Sequence, residues 1–189
     1  VLFRSGMHIK KVIIQGFGSY AKAENPELFM PGVNAILGVN GSGKSNFFKA
    51  IQFVLSPKYM KIDEEKMREL YYKGRSDAVT TARVDIVFDN TDERFPIESD
   101  EVTIRRTIGG NVDSFYVNNR LYSKSEMESF LETAGFSRDN PYYMVEQGSV
   151  KQLCELSDEG RLRLLKEVAG TRVYEERRRE SESILEDTK

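Results

Sequence analysis

The stretch that decides the fold reads Gly38-Val39-Asn40-Gly41-Ser42-Gly43-Lys44-Ser45. It matches the phosphate-binding loop pattern, in which two glycines frame four free positions and lysine and serine or threonine follow. Residues 33–37 predict a short strand before the loop, and Phe47, Ile51 and Val54 recur at helical spacing, which predicts a helix over 45–55. This order of strand, glycine loop and helix predicts an α/β fold built on a P-loop and disfavours an ordinary glycine turn.

Each part of the loop has a task in holding a nucleotide. Glycines let the backbone wrap a phosphate chain with its N–H groups pointing inward, and the helix N-terminus adds the positive end of its dipole. Lys44 is expected to reach the β- and γ-phosphates, and the Ser45 hydroxyl to coordinate Mg²⁺, a hard cation that prefers oxygen ligands. ATP and Mg²⁺ are therefore the expected cofactors. The expected binding residues are Gly38, Asn40, Gly41, Ser42, Gly43, Lys44, Ser45 and Asn46.

Composition limits the other functions open to the chain. Of its 189 residues, 39% are hydrophobic, enough for one domain with a buried core, and the charges nearly cancel at a net −2. Any DNA contact is therefore expected to be local. The single histidine, His8, gives no support to a histidine metal cluster or a serine triad. The lone Cys154 excludes an internal disulfide, and no apolar run reaches the roughly 18 residues of a membrane span.

Hydrophobic patterns elsewhere predict an antiparallel sheet and two more helices. A strand at 8–17 ends in a glycine turn, and strand-like runs at 83–88, 102–108 and 114–117 form a meander. Its tight turns are marked by Gly109-Gly110-Asn111 and Asn118-Asn119. One helix is expected at 64–72, closed by Gly74. Another is expected after Ser123, which forms a capping box with Glu126, and before Gly135.

The expected domain organisation is a globular lobe at 7–157 followed by the start of a coiled-coil neck helix at 158–189. The latter range lacks proline and is almost wholly charged at 175–182. Residues 1–6 precede Met7 and lack the features of a signal peptide, so they are expected to be foreign to the domain. Asn140-Pro141 is expected to break the chain before a further strand at 142–145.

Gln147 would follow that strand directly. Its side-chain oxygen can coordinate Mg²⁺, and its amide can hold an attacking water. Taken alone this is weak support for a functional role, because most exposed glutamines are simply solvated.

Longer stretches resemble one known family. They are NGSGKSN at 40–46 with FFKAIQFVLS after it, VDIVFDNTDERFPI at 84–97, GFSRDNPYYMVEQG at 135–148 and EVAGTRVYEERRRES at 167–181. They resemble the N-terminal head segments of SMC (structural maintenance of chromosomes) proteins, and within these the third-type subunits of cohesin. The resemblance covers nearly everything from Met7 onward. Asn46-Phe47-Phe48 and Asn140-Pro141-Tyr142-Tyr143 are similar to the eukaryotic class more than to the bacterial one.

The resemblance implies one half of an ABC-type ATPase head that turns over ATP only within a two-headed complex. It implies that Gln147 is the Q-loop residue, catalytic together with Lys44 and a ligand of Mg²⁺ together with Ser45. The implied partners are the protein's own C-terminal head lobe, a second head from a first-type cohesin subunit, DNA, and a kleisin N-terminus at the neck helix from about Arg161. Gly170-Thr171-Arg172 would lie where the neck helix leaves the head. The implied setting is nuclear and chromosome-associated, in sister chromatid cohesion.

The sequence departs from the family in three places. Gly18 stands in the Phe17-Gly18-Ser19-Tyr20 turn where a basic residue is usual, so one expected phosphate contact is missing. Asp63 stands where an arginine is expected. Asn111 and Val112 stand where third-type subunits have two lysines that are acetylated, so that charge switch has no amine here.

Rival interpretations stay open at this point. The family resemblance also admits a DNA-repair head of the same superfamily or a bacterial-type SMC protein. A nucleotide-dependent structural module that does not hydrolyse ATP is a further rival, favoured by the departures at Gly18 and Asp63. The small basic groups at Lys10-Lys11, Arg105-Arg106 and Arg177-Arg178-Arg179 are interpreted first as solvated faces, and as a DNA surface only if they cluster.

Overall fold

The computed structural model describes residues 7–22, 27–60, 62–74, 79–110, 112–136, 143–145, 147–148, 156–168 and 178. The chain divides into two compact units, Val1–Ala134 and Gly135–Lys189. In the described part of the first unit, a five-stranded antiparallel sheet runs in the order β1-β2-β3-β4-β5. The strands are β1 (Ile9–Gln15), β2 (Thr81–Asp89), β3 (Glu101–Gly109), β4 (Val112–Val117) and β5 (Arg120–Tyr122).

Among the described residues, four helices of the first unit accompany this sheet, and a further helix lies in the second unit. They are α1 (Lys44–Leu55), α2 (Pro57–Met60), α3 (Glu64–Leu70), α4 (Lys124–Thr133) and α5 (Asp158–Val168). Within the part of the chain that the structure describes, none of them combines the length and the apolar composition needed to cross a bilayer.

The core lies between α1 and one face of the sheet. Alternation along β2 and β3 turns Val84, Ile86 and Ile104 to this inner face, where all are fully buried. The helix contributes Phe53 and Val54, which are also fully buried. Burial of one such side chain stabilises the fold by about 1.5–3 kcal/mol, so this contact fixes α1 on β2 and β3.

Several local predictions are confirmed. The helix predicted at 45–55 is α1, the meander is β2 to β4, and the helix predicted at 64–72 is α3, which ends earlier because Tyr71 turns extended and bridges to Phe17. Asn118 and Asn119 both have positive φ, 46° and 65°, as a two-residue hairpin turn requires. Both bonds of the capping box between Ser123 and Glu126 are present at α4.

The strand predicted at 33–37 is wrong. These residues form no strand, and Val33 and Leu37 are 100% and 90% exposed. A strand is held by hydrogen bonds to a neighbouring strand, and none of the described strands pairs with this segment. The strand predicted at 142–145 is also wrong for its described residues. Tyr143 lies in a 3-10 turn and Met144 in a bend, and residues 143–145 do not pair with any of the described strands.

Other predictions concern residues outside the described ones. These are the leader at 1–6, Asn111, the break at Asn140-Pro141, Cys154, Gly170-Thr171-Arg172, and the charged run at 175–182 apart from Arg178.

The outer face of the sheet carries a buried carboxylate. The Asp85 side chain is 2% exposed and accepts hydrogen bonds from Arg83 Nε at 2.8 Å and from Arg105 Nε at 3.0 Å. Burial alone would raise the pKa of the Asp85 carboxyl, but the bonds and charges of the two arginines outweigh it, so the net pKa is lowered.

Asp85→Asn is expected to destabilise the fold by about 1–3 kcal/mol near neutral pH, because two partly exposed arginines lose the carboxylate that accepts their hydrogen bonds. A carboxyl whose pKa is lowered in the folded state contributes stability above its unfolded pKa of about 3.9 and loses it as pH falls below that value. The difference in free energy of unfolding between the variant and the unaltered chain should therefore shrink at about pH 3. Urea unfolding at about pH 7 and about pH 3 measures this difference. An equal difference at both pH values would contradict the lowered pKa of Asp85.

Candidate phosphate-binding site

The backbone of the predicted P-loop has the turn geometry that its glycines permit. Gly41 and Gly43 take φ values of 84° and 99°, in the region that favours glycine. Gly43 is the N-cap of α1, which has no side-chain cap and no acidic residue in its first turn. The first N–H groups of a helix have no intrahelical partner. This helix start is therefore free of a competing carboxylate and fits an anion.

The loop also packs closely against itself. A Cβ at Gly38 would lie 2.6 Å from Ser42 Oγ, so only glycine fits there without a shift. Ser42 N donates to Val39 O at 3.2 Å across the same turn. At Gly41, by contrast, an added Cβ would meet nothing within 4 Å, so the loop is open on that side.

The Lys44 side chain is directed toward the first residues of the P-loop. Its Nζ donates to Gly38 O at 2.5 Å and to Val39 O at 2.8 Å. The ammonium thus lies beside the loop at the start of α1, next to the helix N-terminus. The positive charge and the N–H groups of the helix start share one small region, as a phosphate chain requires.

A short turn that follows β1 packs against the P-loop at Gly43. Phe17 and Tyr20 pair across this turn, and the Tyr20 hydroxyl donates to Gly43 O at 3.3 Å. Burial raises the pKa of Tyr20, which keeps the hydroxyl protonated and able to donate. A Cβ at Gly43 would lie 2.4 Å from Ser19 Oγ. The contact between this turn and the P-loop was not predicted from the sequence, although Gly18 and Ser19 are residues typical of a turn.

The structure gives a physical reason for glycine at position 18. Gly18 has a φ of 57°, and a Cβ there would lie 2.9 Å from Asn46 Cγ. A basic side chain at this position would be strained and would displace Asn46. Asn46, the last residue of the predicted binding set, thus packs against the turn beneath the loop.

Asp63 has a local role. It is the N-cap of α3, and its side chain is 82% exposed and lies 4.0 Å from Lys66 Nζ. A carboxylate at a helix N-terminus complements the helix dipole. The structure therefore accounts for Asp63 without a contact to the phosphate loop.

Gln147 lies in the second unit, in a turn before Gly148, whose φ is 90°. Its side chain is exposed. The other predicted site residues, 38 and 40–46, are brought together by one loop and one helix start in the first unit. The role of Gln147 stays a prediction.

Most of the described basic residues in the small groups make ion pairs on the sheet. Lys10 pairs with Glu101, and Arg105 with Asp85 at 3.0 Å. Arg106 is buried and pairs with Asp113 at 2.7 Å. Structural pairing therefore accounts for these charges without nucleic acid.

Comparison with known proteins places the chain in a family. Residues 8–157 match the RecF/RecN/SMC N-terminal domain. The chain belongs to this family. Among SMC relatives, structural maintenance of chromosomes protein 3 of Arabidopsis thaliana is 50% identical over 182 residues, and that of Saccharomyces cerevisiae is 42% identical over 189 residues. Each match covers 96% of this chain and 15% of the relative, so the chain spans 15% of their length.

Solved SMC heads share the fold. An SMC ATPase studied for ATP-driven dimerisation and DNA-stimulated activation is 35% identical with a TM-score of 0.72, and the match covers 85% of this chain and 99% of that one. The Pyrococcus furiosus Smc head, bound to the C-terminal domain of ScpA, is 33% identical with a TM-score of 0.76, over 96% of this chain and 46% of that one. The predicted α/β ATPase half-head is confirmed.

Proposed function

We propose that this chain is the N-terminal half of an SMC ATPase head that binds ATP and Mg²⁺ and engages a second head through the nucleotide. The observation that carries the proposal is the P-loop at the start of α1, where Lys44 lies beside an uncapped helix N-terminus. The family match and the SMC neighbours support it. In this proposal the lobe comprises residues 7–157 and the neck helix residues 158–189.

Bound ATP-Mg²⁺ would supply the phosphoryl group and a cation that neutralises its developing charge. Lys44 and the N–H groups of the helix start hold the phosphates, and the Ser45 hydroxyl is an oxygen ligand for the cation. Asn46 completes the binding set against the turn at Gly18. Gln147 is proposed to contribute an oxygen to Mg²⁺ and an amide to the attacking water.

The exposed apolar run before the P-loop is proposed to be covered by the C-terminal head lobe. Leu28, Met30, Val33 and Leu37 are 67–100% exposed. Exposed apolar residues that lie close together in the chain are typical of an interaction site. One solved Smc head is bound to the C-winged helix domain of ScpA. The match covers 51% of that head's chain, so nearly half of that chain lies outside the matched region. A strand of that lobe would supply the neighbour that residues 33–37 lack.

The cohesin assignment rests on the relatives. Several at 42–50% identity are called structural maintenance of chromosomes protein 3, and one is the chromosome segregation protein sudA of Emericella nidulans. These names favour a third-type cohesin subunit, with a nuclear setting, over a DNA-repair head or a bacterial SMC protein. The partners proposed with it are a first-type head, DNA, and a kleisin on α5, where Leu162 and Leu165 are 55% and 64% exposed.

Head engagement provides the test of this proposal. The chain joined to its C-terminal lobe should associate with a first-type head only in the presence of ATP-Mg²⁺, because the nucleotide lies between the two heads and contributes contacts to both. Light scattering with ATP, with ADP and without nucleotide measures the associated fraction. Equal association in all three conditions would contradict the proposed function and favour a constitutive structural module.

A further inference from the structure

Arg106 of β3 is a charged side chain in an apolar place. It is 0% exposed and points to the inner face of the sheet, where its strand neighbours Ile104 and Ile108 are also buried. A buried charge is strongly unfavourable unless it is paired and its hydrogen bonds are satisfied. The contacts of Arg106 therefore show what this position requires.

Those contacts join two elements of the fold. On one side, Nε and Nη2 donate to the Asp113 carboxylate of β4 at 2.9 and 2.7 Å, in the two-pronged geometry of the strongest arginine pairs. On the other side, Nη1 donates to Phe53 O of α1 at 2.7 Å. The guanidinium also lies 4.2 Å from the ring centroid of Phe53 and 4.7 Å from that of Phe115.

The Phe53 carbonyl is an acceptor that α1 cannot satisfy by itself. Continued helix would offer it the N–H of the residue four positions on, and that residue is Pro57, which has no N–H. The last turn of α1 contains no basic residue to complement the negative end of the helix dipole. Arg106 supplies both the donor and the positive charge from outside the helix.

The opposite end of α1 carries the phosphate loop. We propose that Arg106 is a positioning residue for the nucleotide: together with Asp113 it anchors the C-terminal end of α1 to the β3–β4 hairpin and thereby holds the P-loop in its binding geometry. A helix of 12 residues transmits a displacement along its axis because its hydrogen-bond ladder is stiff. This inference rests on the proposed nucleotide binding and goes beyond it.

The chain offers a matched pair of variants for the test. Asp113→Asn removes one negative charge from the arginine that holds α1. Asp85→Asn makes the same change at a carboxylate that pairs with two arginines of the sheet. This carboxylate lies on the outer face of the sheet, away from α1. Both variants are expected to lose stability, and only the first is expected to lose nucleotide affinity.

ATP affinity of the full chain is measured by titration well below the unfolding midpoint of every variant, so that all are fully folded. Asp113→Asn should weaken ATP binding by about three- to tenfold, and Asp85→Asn by less than about twofold. Arg106→Lys keeps the positive charge but loses the paired donors of the guanidinium, and Arg106→Met has a similar length and no charge. Arg106→Lys should therefore retain a higher affinity for ATP than Arg106→Met. Arg106→Met removes one partner of a buried ion pair and is expected to lose stability, so circular dichroism must show that it is folded under the titration conditions before its affinity is compared.

Equal ATP affinity in Asp113→Asn and Asp85→Asn, with Arg106→Met indistinguishable from Arg106→Lys, would overturn the positioning role. If Lys44→Ala still abolishes binding in that case, the proposed function stands and only the inference fails. If the unaltered chain binds no ATP, both fail.

Discussion

Lys44→Ala is expected to lower the affinity of the chain for ATP by at least about a hundredfold while leaving the fold intact. Hydrogen bonds to charged groups contribute about 1.5–3 kcal/mol each, and Lys44 is expected to make such bonds to two phosphates. The structure shows why the fold should tolerate the change. The Nζ atom contacts the carbonyls of Gly38 and Val39, and the core of α1 is formed by other residues, such as Phe53 and Val54.

Lys49→Ala is the matched control, because Lys49 is exposed on the same helix and carries the same charge. Isothermal titration measures ATP affinity, and circular dichroism checks the fold of both variants. Unchanged affinity in Lys44→Ala, or an equal loss in both variants, would show that the loop at 38–45 is not the phosphate site.

The second large effect concerns turnover. The chain by itself is expected to bind ATP-Mg²⁺ and to release phosphate at least about a hundredfold more slowly than a completed pair of heads, since loss of one preorganised electrostatic group costs about 10²–10³ in rate. The motivation is that the family resemblance assigns a Walker B aspartate, a glutamate that positions the water and a signature motif to the C-terminal lobe, and none of the three is recognisable in this sequence. Phosphoryl transfer depends on such positioned groups more than on covalent chemistry.

Phosphate release is measured for the chain alone, for the chain with its C-terminal lobe, and for that assembly with a second head. A Lys44→Ala preparation controls for contaminating ATPases. Robust hydrolysis by the chain alone that disappears in Lys44→Ala would show that the catalytic groups have been misassigned. Gln147→Glu in the complete assembly should reduce turnover more than nucleotide binding if Gln147 orients the water.

Parts of the fold that depend on contacts between near neighbours in the chain could be predicted from the amino-acid sequence. The P-loop follows from glycines at positions where φ is positive or a Cβ would collide, and from a helical repeat directly after them. The cap at Ser123 and the hairpin turn at Asn118-Asn119 depend on atoms only a few residues apart. Each of these can be derived from a local pattern, because the residues that form the contact are neighbours in the chain.

Tertiary structure alone decided the rest, because the deciding contacts join residues far apart in sequence. The run at 33–37 has a strand-like pattern but no strand, since a strand exists only beside a partner. Arg106 was assigned to a solvated face, yet Phe53 and Asp113, from two other elements, hold it in the core. Burial makes its charge a structural link, because in a medium of low dielectric constant an ion persists only where partners surround it.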